Sequence, residues 1–167
     1  MTISMYDISV AVFSARLKAL ASVLSLAEQN AADRKIDPQV LLTARLAPDM
    51  FALTRQVQIA TDHAKGAPSR LAGREVPKYE DNESTFEELH ARIAKTLDHL
   101  ATFSAADLDG SEERTIELRL AGREVSMAGL QYLLNAAMPN FYFHITTAYD
   151  ILRHNGVPLG KSIFLGR

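Results

Sequence analysis

Apolar side chains recur every three or four residues in four long stretches of the chain. This spacing places the apolar side chains on one face of a helix. Four such faces predict an all-α protein, a four-helix bundle that forms a single domain over residues 1–167. The four predicted helices run from about Thr2 to Gln29, from Met50 to Leu71, from Phe86 to Phe103 and from Leu130 to Gly156.

Polar, proline and glycine residues predict where these helices begin and end. Asp37 is expected to cap a short helix over Pro38–Leu46, because aspartate followed by proline is typical of a helix start. Ser84 and Glu87 have the spacing of a capping box. Asn155 and Gly156 are suited to ending the last helix. Connecting loops are expected over Asn30–Lys35 and Gly73–Asn82, and proline is expected to distort two helices, at Pro68 and Pro139.

A change of period indicates a small β-hairpin before the last helix. From Thr115 to Met127 apolar and polar residues alternate on both sides of Ala121 and Gly122, which predicts two strands joined by a tight turn. Two strands alone are barely stable in water, so we expect the hairpin to lie against the bundle. The apolar tail residues Ile163, Phe164 and Leu165 are expected to fold back onto the protein or to bind a second subunit.

The seven-residue sequence Arg-Leu-Ala-Gly-Arg-Glu-Val occurs twice, at Arg70–Val76 and at Arg119–Val125. The first copy lies at a predicted helix end and the second in the predicted hairpin, and the flanking residues differ. A structural repeat carries similarity over a longer period. We interpret the two copies as coincidence or as local turn chemistry, and their meaning stays open.

Composition and charge exclude several classes of protein. The 167 residues include 18 basic and 20 acidic side chains, a net charge of -2, which is not the basic surface of a nucleic-acid-binding protein. We expect no membrane span, because no apolar stretch reaches the roughly 18 residues that one needs. Cysteine is absent, which excludes disulfides and thiolate catalysis. No secretory signal is recognisable, so a cytoplasmic location is expected.

The most promising polar residues lie on the apolar stripe of the last helix. Asn140 and His144 are four residues apart and would face the same point inside the bundle. They form either a binding site or a structural pair, in which His144 is satisfied by Asn140, Thr147 or Tyr6. A zinc or nickel site needs at least three protein ligands. The other three stripes are apolar apart from Tyr6, so no metal is expected.

Other titratable residues have simpler interpretations. Asp62 and His63 lie beside the stripe of the second long helix, where Asp62 could orient a histidine or the two could form a surface pair. His90 and His99 lie on different sides of the third helix, so they cannot share a small ligand. The basic residues Arg153, His154 and Lys161 near the end of the last helix suit its dipole without a ligand.

Two segments resemble a known family. The segment PNFYFHITTAYDILRHNGVPLGK and the earlier QVQIATDHAKGAPSRLAG resemble the bacterial "domain of unknown function nineteen ninety-three" family of the DinB-like superfamily. The resemblance covers nearly the whole chain and implies an up-down-down-up bundle with a long crossing between the second and third helices. In many members one histidine of the second helix and a His-x-x-x-His pair of the fourth bind a divalent metal. Some members are thiol-dependent transferases or isomerases, and dimers are frequent.

The family's metal ligands correspond to three positions of this chain. The resemblance places the second histidine of the pair at His144, the first at Asn140 and the histidine of the second helix at Ile59. A shift of one turn would bring His63 to that position. The chain therefore resembles the metal-binding members at one ligand of three.

These observations lead to three hypotheses. The first is a DinB-like bundle that has lost the metal centre and acts as a small-molecule-binding or structural module, as a homodimer. Its pocket is expected to contain Asn140, His144, Tyr6, Gln56, Asp62 and His63. The second is an enzyme, either zinc- or nickel-dependent through His144, Asn140 and His63, or metal-free with His144 as general base and Asp62 as its partner. The third is an interaction protein that uses its C-terminal tail.

Overall fold

The computed structural model describes residues 3–120 and 122–167. Four long helices form the bundle, and short helices and one hairpin connect them. The chain begins with a π-helical turn, Asp7–Ala11, which continues into α1. In chain order the elements are α1 (Val12–Asp33), α2 (Pro38–Leu42), α3 (Leu53–Leu71), α4 (Phe86–Leu100), α5 (Ala105–Leu108), β1 (Thr115–Leu120), β2 (Arg123–Ala128), α6 (Gly129–Tyr132), a second π-helical turn (Leu133–Ala137), α7 (Met138–His154) and α8 (Lys161–Phe164).

Contacts between side chains establish the directions of the long helices. Arg92 of α4 bonds to Thr61 of α3, and His99 lies against Ser69 further along both helices, so α3 and α4 run parallel. Arg70 near the end of α3 bonds to Tyr132, which precedes α7, so α3 and α7 are antiparallel. The connection 72–85 is extended and returns the chain along the length of the bundle. The predicted bundle with a long crossing is confirmed.

The core contains the apolar faces of all four long helices. Phe13 of α1 and Phe141 of α7 are fully buried and meet edge to face, with 4.9 Å between ring centroids. Alanines of α3 at positions 60, 64 and 67 have no exposed surface. Small side chains there allow neighbouring helices to approach closely. Leu130, where the last long helix was predicted to start, lies in α6 and is 37% exposed, so it is not part of this core.

The first helix differs from its prediction at its end. It continues through Asp33, so the connector predicted over Asn30–Lys35 was wrong, and the predicted start at Thr2 lies outside the described residues. Within the described residues, one helix, Asp7–Asp33, is long and apolar enough to cross a membrane by length and composition only, with a mean hydropathy of 1.6 over an 18-residue window. The expectation that no apolar stretch is long enough for a membrane span was therefore wrong. Its apolar face, including Leu17 and Leu24, is buried in the bundle core.

The start of the last long helix is interrupted, as Pro139 led us to expect. The π-helical turn Leu133–Ala137 precedes the proline, and Pro139 lies in the first turn of α7. Proline lacks the N–H that would continue the bonding pattern, and a π turn accommodates such a break. Pro68 in α3 does not end its helix, which continues to Leu71.

The predicted hairpin is confirmed. β1 and β2 pair antiparallel from Thr115 opposite Ala128 to Leu120 opposite Arg123. Gly122 has a φ of 81°, which glycine adopts without strain, and Ala121 lies outside the described residues. Ile116 is 4% exposed and joins the bundle core, so the hairpin lies against the helices.

The tail folds back onto α1. The Arg16 guanidinium donates to the backbone carbonyls of Phe164 and Leu165, at 3.0 and 2.9 Å. The ring of Phe164 meets Tyr149 edge to face at 5.6 Å. Of the two expectations for the tail, folding back is confirmed.

The capping box of α4 is one residue later than predicted. Thr85, not Ser84, is the N-cap: its hydroxyl accepts from the Glu88 N–H, and Glu88, not Glu87, accepts from the Thr85 N–H. Both pairs have the required spacing; the later one forms the cap, and Phe86, the first residue of α4, is buried in the core.

We expect Thr85→Ala to lower the free energy of unfolding by about 1 kcal/mol, since the exposed α4 start loses its cap. Urea unfolding followed by circular dichroism would measure the loss. Thr85→Ser keeps the hydroxyl and is the matched control, with an expected change of only a few tenths of a kcal/mol. Equal losses in both variants would contradict the assigned cap.

Candidate functional site

His144 of α7 is held by a glutamine of α3. Its Nδ1 lies 2.7 Å from Gln56 Oε1, and Gln56 Nε2 donates to the Phe51 carbonyl at 3.0 Å. The Phe51 carbonyl can only accept, which settles the orientation of the amide. Gln56 therefore offers its oxygen to His144, and Nδ1 must carry the proton. The basic nitrogen of His144 is consequently Nε2.

The environment keeps His144 neutral. Burial, together with smaller contributions from the nearby His63 and Arg55, lowers the pKa of His144 from 6.5 to about 4. A base with this pKa takes up protons weakly at neutral pH. His144 therefore suits accepting a hydrogen bond at Nε2 better than general base catalysis.

His63 of α3 faces His144. The two imidazole rings are nearly parallel, with 6.1 Å between their centroids. Burial lowers the pKa of His63; Asp62 opposes the shift, while Arg70 and Lys65 add to it. Two neutral imidazoles thus lie side by side between α3 and α7.

One hypothesis assumed that Asn140 or Thr147 forms a hydrogen bond with His144, but neither side chain does. The Asn140 amide donates to the Ala136 carbonyl at 2.7 Å, and the Thr147 hydroxyl donates to the Phe143 carbonyl at 2.7 Å. Both side chains thus bond within their own helix, because each is four residues beyond an available carbonyl. Tyr6 packs against the core and is not part of the cleft described below. The partner of His144 is Gln56 instead.

Asp62 is not the partner of His144 either. Its Oδ1 accepts from Arg92 at 2.9 Å and pairs with Lys65. The Asp62 carboxylate is therefore engaged toward α4, while His144 bonds to Gln56. The carboxylate–histidine pair that the metal-free enzyme hypothesis required does not form.

A cleft of about 410 Å³ opens beside His63, between α3, the hairpin and the start of α7. The predicted pocket residues His144 and Gln56 do not line it; they lie behind His63. Three of the predicted site residues, Asp62, His63 and Asn140, contribute to it. The π-helical turn contributes two alanines, so the wall of the cleft on that side consists of small apolar side chains. The remaining lining residues, which the sequence did not indicate as a site, are Arg70, Glu117, Leu118, Arg119, Tyr132, Ala136 and Ala137.

The two copies of the repeated segment meet at this cleft. Arg70 begins the first copy and Arg119 begins the second, and both side chains line it. The repeat was therefore the sequence signal that could have indicated these arginines. Its two contexts differ as expected, since one copy starts at the end of α3 and the other lies in the hairpin.

The other candidate residues lie elsewhere. His99 contacts Ser69 at 2.9 Å and His90 contacts Ser25 at 3.5 Å, each between neighbouring helices. Arg153 and His154 are exposed in the last turn of α7. None of these side chains lines the cleft.

The donor atoms around His144 do not fit the three-ligand metal centre that the resemblance implies. His63 and His144 are two imidazoles, and Asn140 adds only a neutral amide oxygen, a weak ligand for zinc or nickel. Ile59 has no donor atom. Across residues 3–120 and 122–167, no group of three or more His, Asp or Glu side chains is placed to hold a metal ion.

Comparison with known proteins agrees with this architecture. The crystal structure of a DinB family member protein from Shewanella denitrificans is similar to this chain, with 45% sequence identity and a TM-score of 0.90. The similarity covers 98% of this chain and 92% of that one, and the fold is that of a DinB-like bundle.

The family itself follows from the sequence match. The model of the family described as "Domain of unknown function (DUF1993)" matches residues 5–165, and the chain belongs to that family. The resemblance drawn from the sequence is thereby confirmed. No curated protein matches the chain.

Proposed function

We propose that this protein binds a small organic molecule in the cleft between α3, the hairpin and the start of α7, without a metal centre. The observation that most directly supports this proposal is a cleft of about 410 Å³ in which imidazole, amide, phenol and guanidinium groups converge beside an alanine wall. Binding sites of small molecules commonly have this size and combine apolar walls with a few placed polar groups.

The neighbouring histidines support binding over catalysis. Burial holds the pKa of both imidazoles below the usual range, which favours neutral rings that accept or donate a hydrogen bond. The Gln56–His144 bond fixes the rotamer of the buried ring behind His63. A preorganised polar surface loses little entropy when a ligand binds.

A fragment screen by NMR would test this function. Binding should shift the backbone amide signals of His63 and Asn140. Asn140→Ala should weaken binding several-fold, because the cleft loses an amide oxygen. Asn155→Ala is the matched control: Asn155 donates to the Ile151 carbonyl at 2.7 Å, as Asn140 does to Ala136, but lies outside the cleft.

The two variants separate binding from stability. Each loses one equivalent hydrogen bond, worth about 1 kcal/mol of unfolding free energy. Equal binding by Asn140→Ala and Asn155→Ala, or the absence of any fragment that shifts the cleft signals, would contradict the proposal.

A metal-dependent transferase or isomerase is the alternative that the family resemblance suggests. The facing imidazoles of His63 and His144 favour it, whereas the missing third ligand opposes it. Titration with zinc and nickel, read by thermal stability, would distinguish the two. Stoichiometric stabilisation that disappears in His144→Ala would favour the alternative. The homodimer and the cytoplasmic location stay predictions.

A further inference from the structure

The first observation concerns the position of Arg70 in the cleft. Its Nη1 donates to the Tyr132 hydroxyl at 3.1 Å. The guanidinium lies over Gly66, one turn earlier on α3, where an added Cβ would come within 2.5 Å of Nη1. A glycine at position 66 therefore allows the arginine to lie against its own helix and point to Tyr132.

The second observation concerns the acceptors available to this pair. Within the described residues no carboxylate lies at ion-pair distance from Arg70. Tyr132 is 2% exposed, and its oxygen accepts from Arg70, so its own proton remains to be donated. Buried tyrosine hydroxyls usually find an acceptor. A guanidinium and a phenol that both donate into one cleft are complementary to an anion.

The third observation is the local charge. Arg119 adds a second guanidinium from the hairpin, and its Nε is bound to the Gly122 carbonyl. Of the two acidic residues in the lining, Asp62 is paired with Lys65 and Arg92, and only the exposed Glu117 opposes the arginines. The side of the cleft around Arg70 therefore carries an excess of positive charge.

We infer that the ligand of this cleft carries an anionic oxygen group, a carboxylate or a phosphate, which binds between Arg70 and Tyr132. This inference rests on the proposed function and specifies its ligand class. Arg70 and Tyr132 donate to the anion, and Arg119 adds longer-range attraction. The uncharged part of the ligand then lies toward His63, Asn140 and the alanine wall.

Three matched probes test the ligand class: benzoate, phenyl phosphate and the neutral isostere benzamide, each titrated into the full chain and followed by NMR. At least one anion should bind about tenfold tighter than benzamide, and the better anion identifies carboxylate or phosphate. Arg70→Met should abolish this preference, and Tyr132→Phe should reduce it several-fold. Arg153→Met, an exposed arginine of α7 outside the cleft, is the control and should retain it.

Gly66→Ala provides a test that leaves the charge in place. The added Cβ should displace the guanidinium, so anion preference should fall as it does in Arg70→Met, with the melting temperature of each variant recorded. Equal binding of benzoate, phenyl phosphate and benzamide at the cleft, unchanged in Arg70→Met, would overturn this inference and leave the proposed function standing. If no probe and no fragment shifts the cleft signals, both fail.

Discussion

Replacing Arg92 with methionine should lower the free energy of unfolding by about 3–5 kcal/mol, the largest effect we expect of a single substitution. The Arg92 side chain is 2% exposed and forms ion pairs with three carboxylates, those of Asp62, Asp81 and Glu83, at 2.9 to 3.0 Å. Removing the guanidinium leaves the three carboxylates close together without most of the positive charge that offsets their repulsion. Urea unfolding of the two proteins would measure the difference.

The same side chain holds the connection between α3 and α4. Arg92 Nη1 donates to the Glu80 carbonyl at 2.9 Å, and Nε donates to the Thr61 hydroxyl at 2.7 Å. The connection 72–85 has no helix or strand of its own, so its position depends on such contacts. Hydrogen exchange in this segment should therefore accelerate in Arg92→Met.

Arg55→Met is the matched control for this prediction. Arg55 pairs with Asp81, which also contacts Arg92, but its side chain is 39% exposed. Exposed ion pairs contribute about 0–1 kcal/mol because solvent screens them. A loss below 1 kcal/mol in Arg92→Met, equal to that of the control, would show that the buried network does not stabilise the fold.

Acid should destabilise the protein through His144, by about 3 kcal/mol between neutral pH and pH 4. The folded state holds the pKa of His144 at about 4, below its ordinary value of 6.5. Below pH 6.5 the unfolded chain therefore binds a proton that the folded chain does not. The stabilisation is present above pH 6.5 and is lost as the pH falls to about 4.

Urea unfolding at pH 7.5 and pH 4.5 would measure this dependence. His144→Gln removes the titrating group and keeps an amide that can donate to Gln56, so its stability should fall less with acid than that of the wild type. The matched control is His154→Gln, an exposed histidine of the same helix, which should behave as the wild type does. Parallel pH profiles for all three proteins would contradict the assignment to His144.

These two predictions concern different sides of α3. Asp62 turns toward Arg92 and α4, whereas its neighbour His63 turns toward His144 and α7. Adjacent residues of a helix point about 100° apart, so each contacts a different partner helix. The side with Asp62 stabilises the crossing connection, the side with His63 packs against α7, and both residues line the cleft.

The helices and the hairpin could be predicted from the sequence, because their signals are local. Spacings of three and four produce a helical face, alternation produces a strand, and Asp37 before Pro38 produces a helix start, which the structure shows. The capping box was misplaced by one residue, since Ser84 and Thr85 both have the local signal and the spacing alone does not distinguish them.

Only the tertiary structure decided how the polar residues pair. His144 bonds to Gln56, 88 positions earlier in the chain, and Arg70 bonds to Tyr132, 62 positions later. Such pairs depend on how each helix is rotated and shifted against its neighbours, and core packing determines that rotation. The sequence by itself therefore determined the bundle and the family, whereas packing between distant helices created the cleft.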